Sequence, residues 1–162
     1  VYNTYVDVVI EHLGGKSFRD TAEEELIKRF LETVRPSCWS KAKPELKKDK
    51  IIFPDIVTWD SIHYQYYKEY DFEYDSDRKV SQFCEGIAFG ADDVLCGSIE
   101  MIMGLDTRNV DISRWYDLTT TNASNMKFYA NGRIDVKFKD SATAESCFKR
   151  LRLNEIKLRD EN

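Results

Sequence analysis

Few side chains in this sequence combine the type and spacing that chemistry requires. Asp135-Val136-Lys137 puts an acidic residue and a lysine two apart, on one face of any strand that holds them. That pairing serves a metal ion and its water in metal-dependent nucleases. It requires a further carboxylate from upstream, and Asp111 and Asp117 are the available ones. A second set is Lys127, Tyr129, Arg133 and Lys137, an aromatic side chain among cations, with Arg150 and Arg152 downstream. Such a set stacks a base while its cations hold phosphate. A third is Glu69, Asp71, Glu73 and Asp75, which alternate with Tyr70, Phe72 and Tyr74. On a strand these carboxylates would repeat every ~6.6 Å, close to the phosphate spacing of a nucleic-acid strand. The row could therefore imitate DNA toward a nucleic-acid-processing protein, as an acidic inhibitor does.

Other chemistries lack their residues. Cys38, Cys84, Cys96 and Cys147 form no CxxC pair, and only His12 and His63 could join them, so no zinc spacing exists. The thiols read as buried and free, which fits a reducing, cytoplasmic setting. No serine sits in a nucleophile elbow, and neither Gly14-Gly15 nor the Gly86 to Gly90 segment has the context of a phosphate loop. His63, between Ile62 and Tyr64, reads as structural. The expectation is a domain without catalytic residues, metal or cofactor.

The element that must position most of these residues is a hairpin from Asn125 to Lys139. Asn131-Gly132 between two alternating runs is a strong turn signal. A two-residue loop would mix apolar and charged residues on both faces. A three-residue loop, Ala130-Asn131-Gly132 with Gly132 left-handed, sorts them. It puts Met126, Phe128, Ile134, Val136 and Phe138 on one face, and sets Lys127 opposite Asp135 as an ion pair and Tyr129 opposite Arg133 as a cation-π pair.

Around the hairpin, apolar periodicity and stop signals predict helices at Thr4 to Leu13, from Asp20 to Pro36, from Asp60 to Lys68, from Asp77 to Gly90, from Asp92 to Met103, and after an Asp140 or Ser141 cap. In the last, Ala144, Cys147, Phe148 and Leu151 point inward. Ile51 to Phe53 and Glu69 to Asp75 read as strands, with Tyr70, Phe72 and Tyr74 entering the core. Ser37 to Lys50 reads as a basic loop, and Leu105 to Ser124 as a connection clipped to the core by Val110, Ile112, Trp115 and Leu118.

At 162 residues with 42% hydrophobic composition and only 7 Gly and 3 Pro, the chain suits one folded domain, 1-162. No apolar run reaches the ~20 residues of a membrane span. A first residue of Val1 instead of Met leads us to expect a piece of a longer protein. The formal charge of -5 argues against adhesion to nucleic acid over the whole surface, but not against a local basic face.

The succession Lys50-Ile51-Ile52-Phe53-Pro54, Asp92-Asp93-Val94 leading to Met103-Gly104-Leu105-Asp106, Phe128-Tyr129-Ala130-Asn131-Gly132 and Lys137-Phe138-Lys139 resembles an uncharacterised family of phage and plasmid domains. Some members are joined to, or encoded beside, DNA methyltransferases. Where that family tends to have Lys-Asn-Gly-Asn and a return-strand histidine, this chain has Ala130-Asn131-Gly132-Arg133 and Asp135. The resemblance implies an origin in a mobile element and a role beside DNA modification or host defence.

The expected architecture is α+β, about five helices on a small, mostly antiparallel sheet that ends in a β-hairpin and helix. The expected function is a non-catalytic accessory or binding domain that contacts nucleic acid through the hairpin. The acidic inhibitor and the nuclease are the alternatives.

Overall fold

The computed structural model describes residues 17–36 and 42–157. The predicted Thr4 to Leu13 helix lies outside these residues, as does Cys38. Helix α1, Phe18–Val34, starts from a capping box. The Ser17 hydroxyl accepts the Asp20 amide at 3.0 Å, and the Asp20 carboxylate accepts the Ser17 amide at 3.4 Å. Asp20 thus sits inside the first turn, and Ser17 is the cap. The helix buries Leu26, Ile27, Phe30 and Val34 and ends before Pro36, as its periodicity predicts.

Strands β1 (Glu45–Lys47), β2 (Lys50–Phe53), β3 (Tyr116–Asp117), β4 (Ala123–Phe128) and β5 (Ile134–Phe138) form one antiparallel sheet in the order β1-β2-β5-β4-β3. The hairpin has the predicted register: Lys127 opposes Asp135, Phe128 opposes Ile134, and Gly132 has φ +87°. A side chain at Gly132 would also run into the Val57 carbonyl, and the Gly132 carbonyl accepts the amides of Ile56 and Val57 at 3.0 Å each. Glycine is required there for both reasons. β1 and β3 are edge strands within segments whose polarity reads as loop. Each is only two or three residues long, too short for alternation to register.

Helix α2 is Ser61–Tyr67, capped by Asp60, and α3 is Ser76–Asp92. Helix α4, Ser141–Arg150, is capped by Asp140, whose carboxylate accepts the Thr143 amide at 2.7 Å. α1, α3 and α4 share one core with Ile51, Phe53, Met126, Phe128, Ile134, Val136 and Phe138. Its centre is a triangle of Phe30, Phe53 and Phe83, with ring centroids 4.8 to 6.0 Å apart. A side chain at Gly86 would strike the Phe30 ring, so its absence sets how closely α1 packs on α3.

Two expectations fail. No α-helix runs from Asp92 to Met103: Asp93 is left-handed at φ 59° and ends α3, and only a single 3-10 turn, Ile99–Met101, follows. Asp92 does cap amides, but those of Thr121 and Asn122, at 2.7 and 3.0 Å. Glu69 to Asp75 is no strand either. It makes isolated bridges, Phe72 with Trp59 and Tyr70 with Val110, because it is held between two segments that are not strands. Phe72 is buried and Tyr70 packs on the core, but Tyr74 is 97% exposed.

The described residues thus make an α+β fold with four α-helices on a five-stranded sheet. None of these helices is long and apolar enough to cross a membrane.

Candidate functional site

Strand alternation gives the sheet a second face, opposite the core. The pairings of Lys50 with Lys137, Ile52 with Asp135, Lys127 with Asp135 and Asp117 with Asn125 place all these side chains on it. Glu45 and Lys47 extend it at the β1 edge. Trp115 joins from the other side, its ring 5.9 Å from the Lys127 ammonium.

Asp135 is the centre of this face and has no exposed surface. Its carboxylate receives four hydrogen bonds. Arg133 donates through Nε at 2.7 Å and Nη2 at 2.8 Å, Tyr129 through its hydroxyl at 3.0 Å, and Lys50 through Nζ at 3.1 Å. The bidentate guanidinium and the two further donors use most of the acceptor capacity of the group. Lys127, the expected ion-pair partner, is not one of them. Its ammonium lies over Tyr129 at 5.2 Å, and the Arg133 guanidinium over the same ring at 4.5 Å. The predicted Tyr129 and Arg133 contact is therefore present, and the ion pair runs to Arg133 and Lys50 instead.

The titration of the cluster follows from these contacts. Burial alone would raise the Asp135 carboxyl. The hydrogen bonds and charges of Arg133 and Lys50 outweigh it and hold the group below its ordinary 3.8. The Tyr129 phenol is raised, first by burial and then by the Asp135 charge beside it. Arg133 is raised chiefly by its hydrogen bond to Asp135. All three shifts keep the cluster in one charge state, with the carboxylate ionised and its donors protonated.

Lys47 and Lys137 are exposed and make no ion pair with a described residue. Lys127, Tyr129, Arg133 and Lys137 therefore come together as predicted. Arg150 and Arg152 do not join them. Arg150 belongs to the helical layer, where it donates to the carbonyls of Phe89 at 3.3 Å and Gly90 at 3.4 Å, near the end of α3. Arg152 is left-handed at the turn after α4. Lys50 is a site residue that the sequence reading missed, and Trp115, expected to clip its connection to the core, instead lies beside Lys127 on the outer face while Tyr116 takes the core position. Lys50 opens an unbroken apolar run, Ile51-Ile52-Phe53, so no alternation assigns its face, and nothing local names Asp135 as its neighbour.

Comparison with known protein families, curated proteins and solved structures finds no match to this chain. The geometry must therefore carry the functional argument.

The nuclease pairing is on one face as expected, yet the Asp135 oxygens are already engaged by cations and a phenol. Of its two upstream partners, Asp117 accepts from Asn125 at 2.7 Å, and Asp111 closes a local turn with Ser113. No group of three or more His, Cys, Asp or Glu among the described residues is arranged to hold a metal.

The acidic segment is divided among different partners. Glu69 lies 3.4 Å and Asp71 3.8 Å from the two ring nitrogens of His63, and Asp75 pairs with Arg78 at 2.7 Å. Without a strand, the regular phosphate-like spacing is lost. Cys84 and Cys147 are buried free thiols as expected, whereas Cys96 is free but exposed. Burial pushes the Cys147 thiol up to about 12 and the Cys84 thiol up as well, so neither is a nucleophile.

Proposed function

We propose that this chain is a non-catalytic accessory binding domain that holds nucleic acid against the outer face of its sheet. One observation supports the reading. Asp135 draws its positive partners from Arg133 and Lys50, which leaves Lys127, Lys137 and Lys47 on the same face without a carboxylate partner among the described residues. The buried anion is neutralised from within, so the free lysines give the face a positive surplus for phosphate. Trp115 supplies a ring face beside Lys127 on which a base stacks, while the Tyr129 ring stays covered by Lys127 and Arg133. The setting implied by the resemblance, a phage or plasmid element acting in DNA modification or host defence inside the host cell, belongs to this proposal.

The overall charge of -5 does not oppose it, because the acidity is localised. Residues 60–77 hold six carboxylates against one lysine, Lys68, and so carry a net charge equal to that of the whole chain.

The test is an anisotropy titration of labelled single-stranded and duplex oligonucleotides. Three phosphate contacts should weaken binding roughly tenfold or more between about 50 mM and 200 mM salt. Each of Lys47→Ala, Lys127→Ala and Lys137→Ala should reduce the log-log salt slope by about 0.7 to 0.9. The absence of binding to either oligonucleotide at low salt, or an unchanged slope in the triple variant, discards the proposal.

A further inference from the structure

Helix α2 is out of keeping with the rest of the molecule. It is capped at both ends: the Asp60 carboxylate accepts the amides of Ile62 at 3.1 Å and His63 at 3.0 Å, and left-handed Lys68 closes the last turn onto the Tyr64 carbonyl. Yet it contributes no buried residue. Its sequence, Ser61-Ile62-His63-Tyr64-Gln65-Tyr66-Tyr67, is mostly aromatic or aliphatic, and Ile62, Tyr66 and Tyr67 are 68%, 75% and 67% exposed. A surface helix ordinarily turns such residues to the core. Here they face solvent, and Ile62 and Tyr66, four apart, share one side. Exposed tyrosines beside an aliphatic residue have the composition of an interface centre.

Next to this helix lies an open depression of about 420 Å³ whose lining includes Asp71, Glu73, Asp75, Asp77 and Tyr74, with Arg108 as its single cation. Asp71 joins the two features: its backbone carbonyl accepts the Asp60 amide at 2.8 Å, and its carboxylate lies 3.8 Å from the His63 ring of α2. The helix and the depression therefore adjoin at Asp60, His63 and Asp71. Asp75 already has Arg78, but Glu73 and Asp77 have no ion pair with a described residue.

We infer that α2 and this depression form a docking surface for an arginine-rich segment of another protein. Charge complementarity selects a cationic occupant and excludes nucleic acid, which these carboxylates repel. The tyrosines select arginine over lysine. A guanidinium is planar, stacks on a phenol ring, sheds its weak hydration readily and meets a carboxylate with two parallel hydrogen bonds. The occupant directs its guanidinium groups to the rings of Tyr66 and Tyr67 and to the depression.

The test uses the full chain and a fluorescent peptide of arginines spaced by glycine and serine, beside a lysine peptide of the same length and charge. The arginine peptide should bind at least about threefold more tightly than the lysine peptide. The double variant Tyr66→Ser/Tyr67→Ser, which leaves the charge unchanged, should weaken arginine-peptide binding by about tenfold. Glu73→Gln/Asp77→Asn should slow association and flatten its salt dependence. Tyr74→Ser, outside the helix and at a side chain that packs on nothing, keeps the test valid if the double variant loses α2; it should weaken binding by about threefold. Equal binding of the two peptides, or full affinity in the tyrosine variants, overturns the inference by reducing the contact to bulk charge.

Discussion

Tyr129 and Tyr66 stand in regions that spend the same chemistry in opposite ways. On the outer sheet face a tyrosine, an arginine, a lysine and a carboxylate close on one another, and Asp135 ends with no exposed surface. On α2 the tyrosines, and in the depression beside it the carboxylates, are mostly left to solvent, and the helix buries nothing. The first arrangement spends its groups on one another, and on the proposed reading what remains for a ligand is Lys47, Lys127, Lys137 and the Trp115 ring. The second leaves most of its side-chain surface in water, and on the inference drawn above that surface is what a partner would use. Composition does not separate structural from functional charge; the completeness of the hydrogen bonding does.

The comparison is most exposed to Asp135→Ala. Removing the carboxylate leaves Arg133 and Lys50 facing each other over a desolvated site, and should cost about 3 kcal/mol in urea unfolding. A loss below 1 kcal/mol would mean that the cluster is dispensable and that the contrast between the two regions is not energetic.

A smaller effect should follow from acid. The folded-state pKa of Asp135 lies below its ordinary 3.8. Its contribution is therefore complete above that value and is lost as pH falls through the lower folded value. The urea midpoint of the native chain should fall more steeply below about pH 4 than that of Asp135→Asn, which has no carboxyl to protonate. Parallel pH profiles of the two proteins would show that Asp135 is not tuned by its neighbours.

The smallest effect should come from Tyr66→Ser, which should change stability by less than about 0.5 kcal/mol, since its side chain lies mostly in water. A loss of 2 kcal/mol would place α2 in the folding unit and erase the distinction from the sheet.

Much of the fold is legible wherever one short stretch contains both halves of an interaction. The hairpin register could be worked out because Met126 to Phe138 contains its own two strands, its turn glycine and its apolar face. The α4 cap is legible for the same reason: Asp140 and Thr143 are three residues apart. Asp92 has the same chemistry and misleads, because its amides lie at Thr121 and Asn122 and no local pattern points there. The alternation of Glu69 to Asp75 misleads in another way. Period two is necessary for a strand but not sufficient, and among the described residues no neighbouring strand completes the ladder. Of the candidate site, Lys127, Tyr129, Arg133 and Lys137 are legible by parity, whereas Arg150 is not excluded until α4 is seen to lie across the core with its guanidinium on the α3 carbonyls.

The sequence by itself determined the α+β class, the stop of α1 before Pro36, the start of α4 at Asp140 or Ser141, and the parity that puts Lys127, Asp135 and Lys137 on one face of a hairpin. These depend on interactions spanning a few residues, where the geometry of the backbone leaves one answer. Only the tertiary structure decided that β2 lies beside β5, and this brings Lys50 to Asp135 across 85 residues of chain. That pairing adds Lys50 to the hairpin's own Arg133 and Tyr129 around a buried carboxylate, and these three donors together take the place expected for Lys127. Such long-range neighbours follow from how the whole core closes around Phe30, Phe53 and Phe83, and no local pattern holds that information.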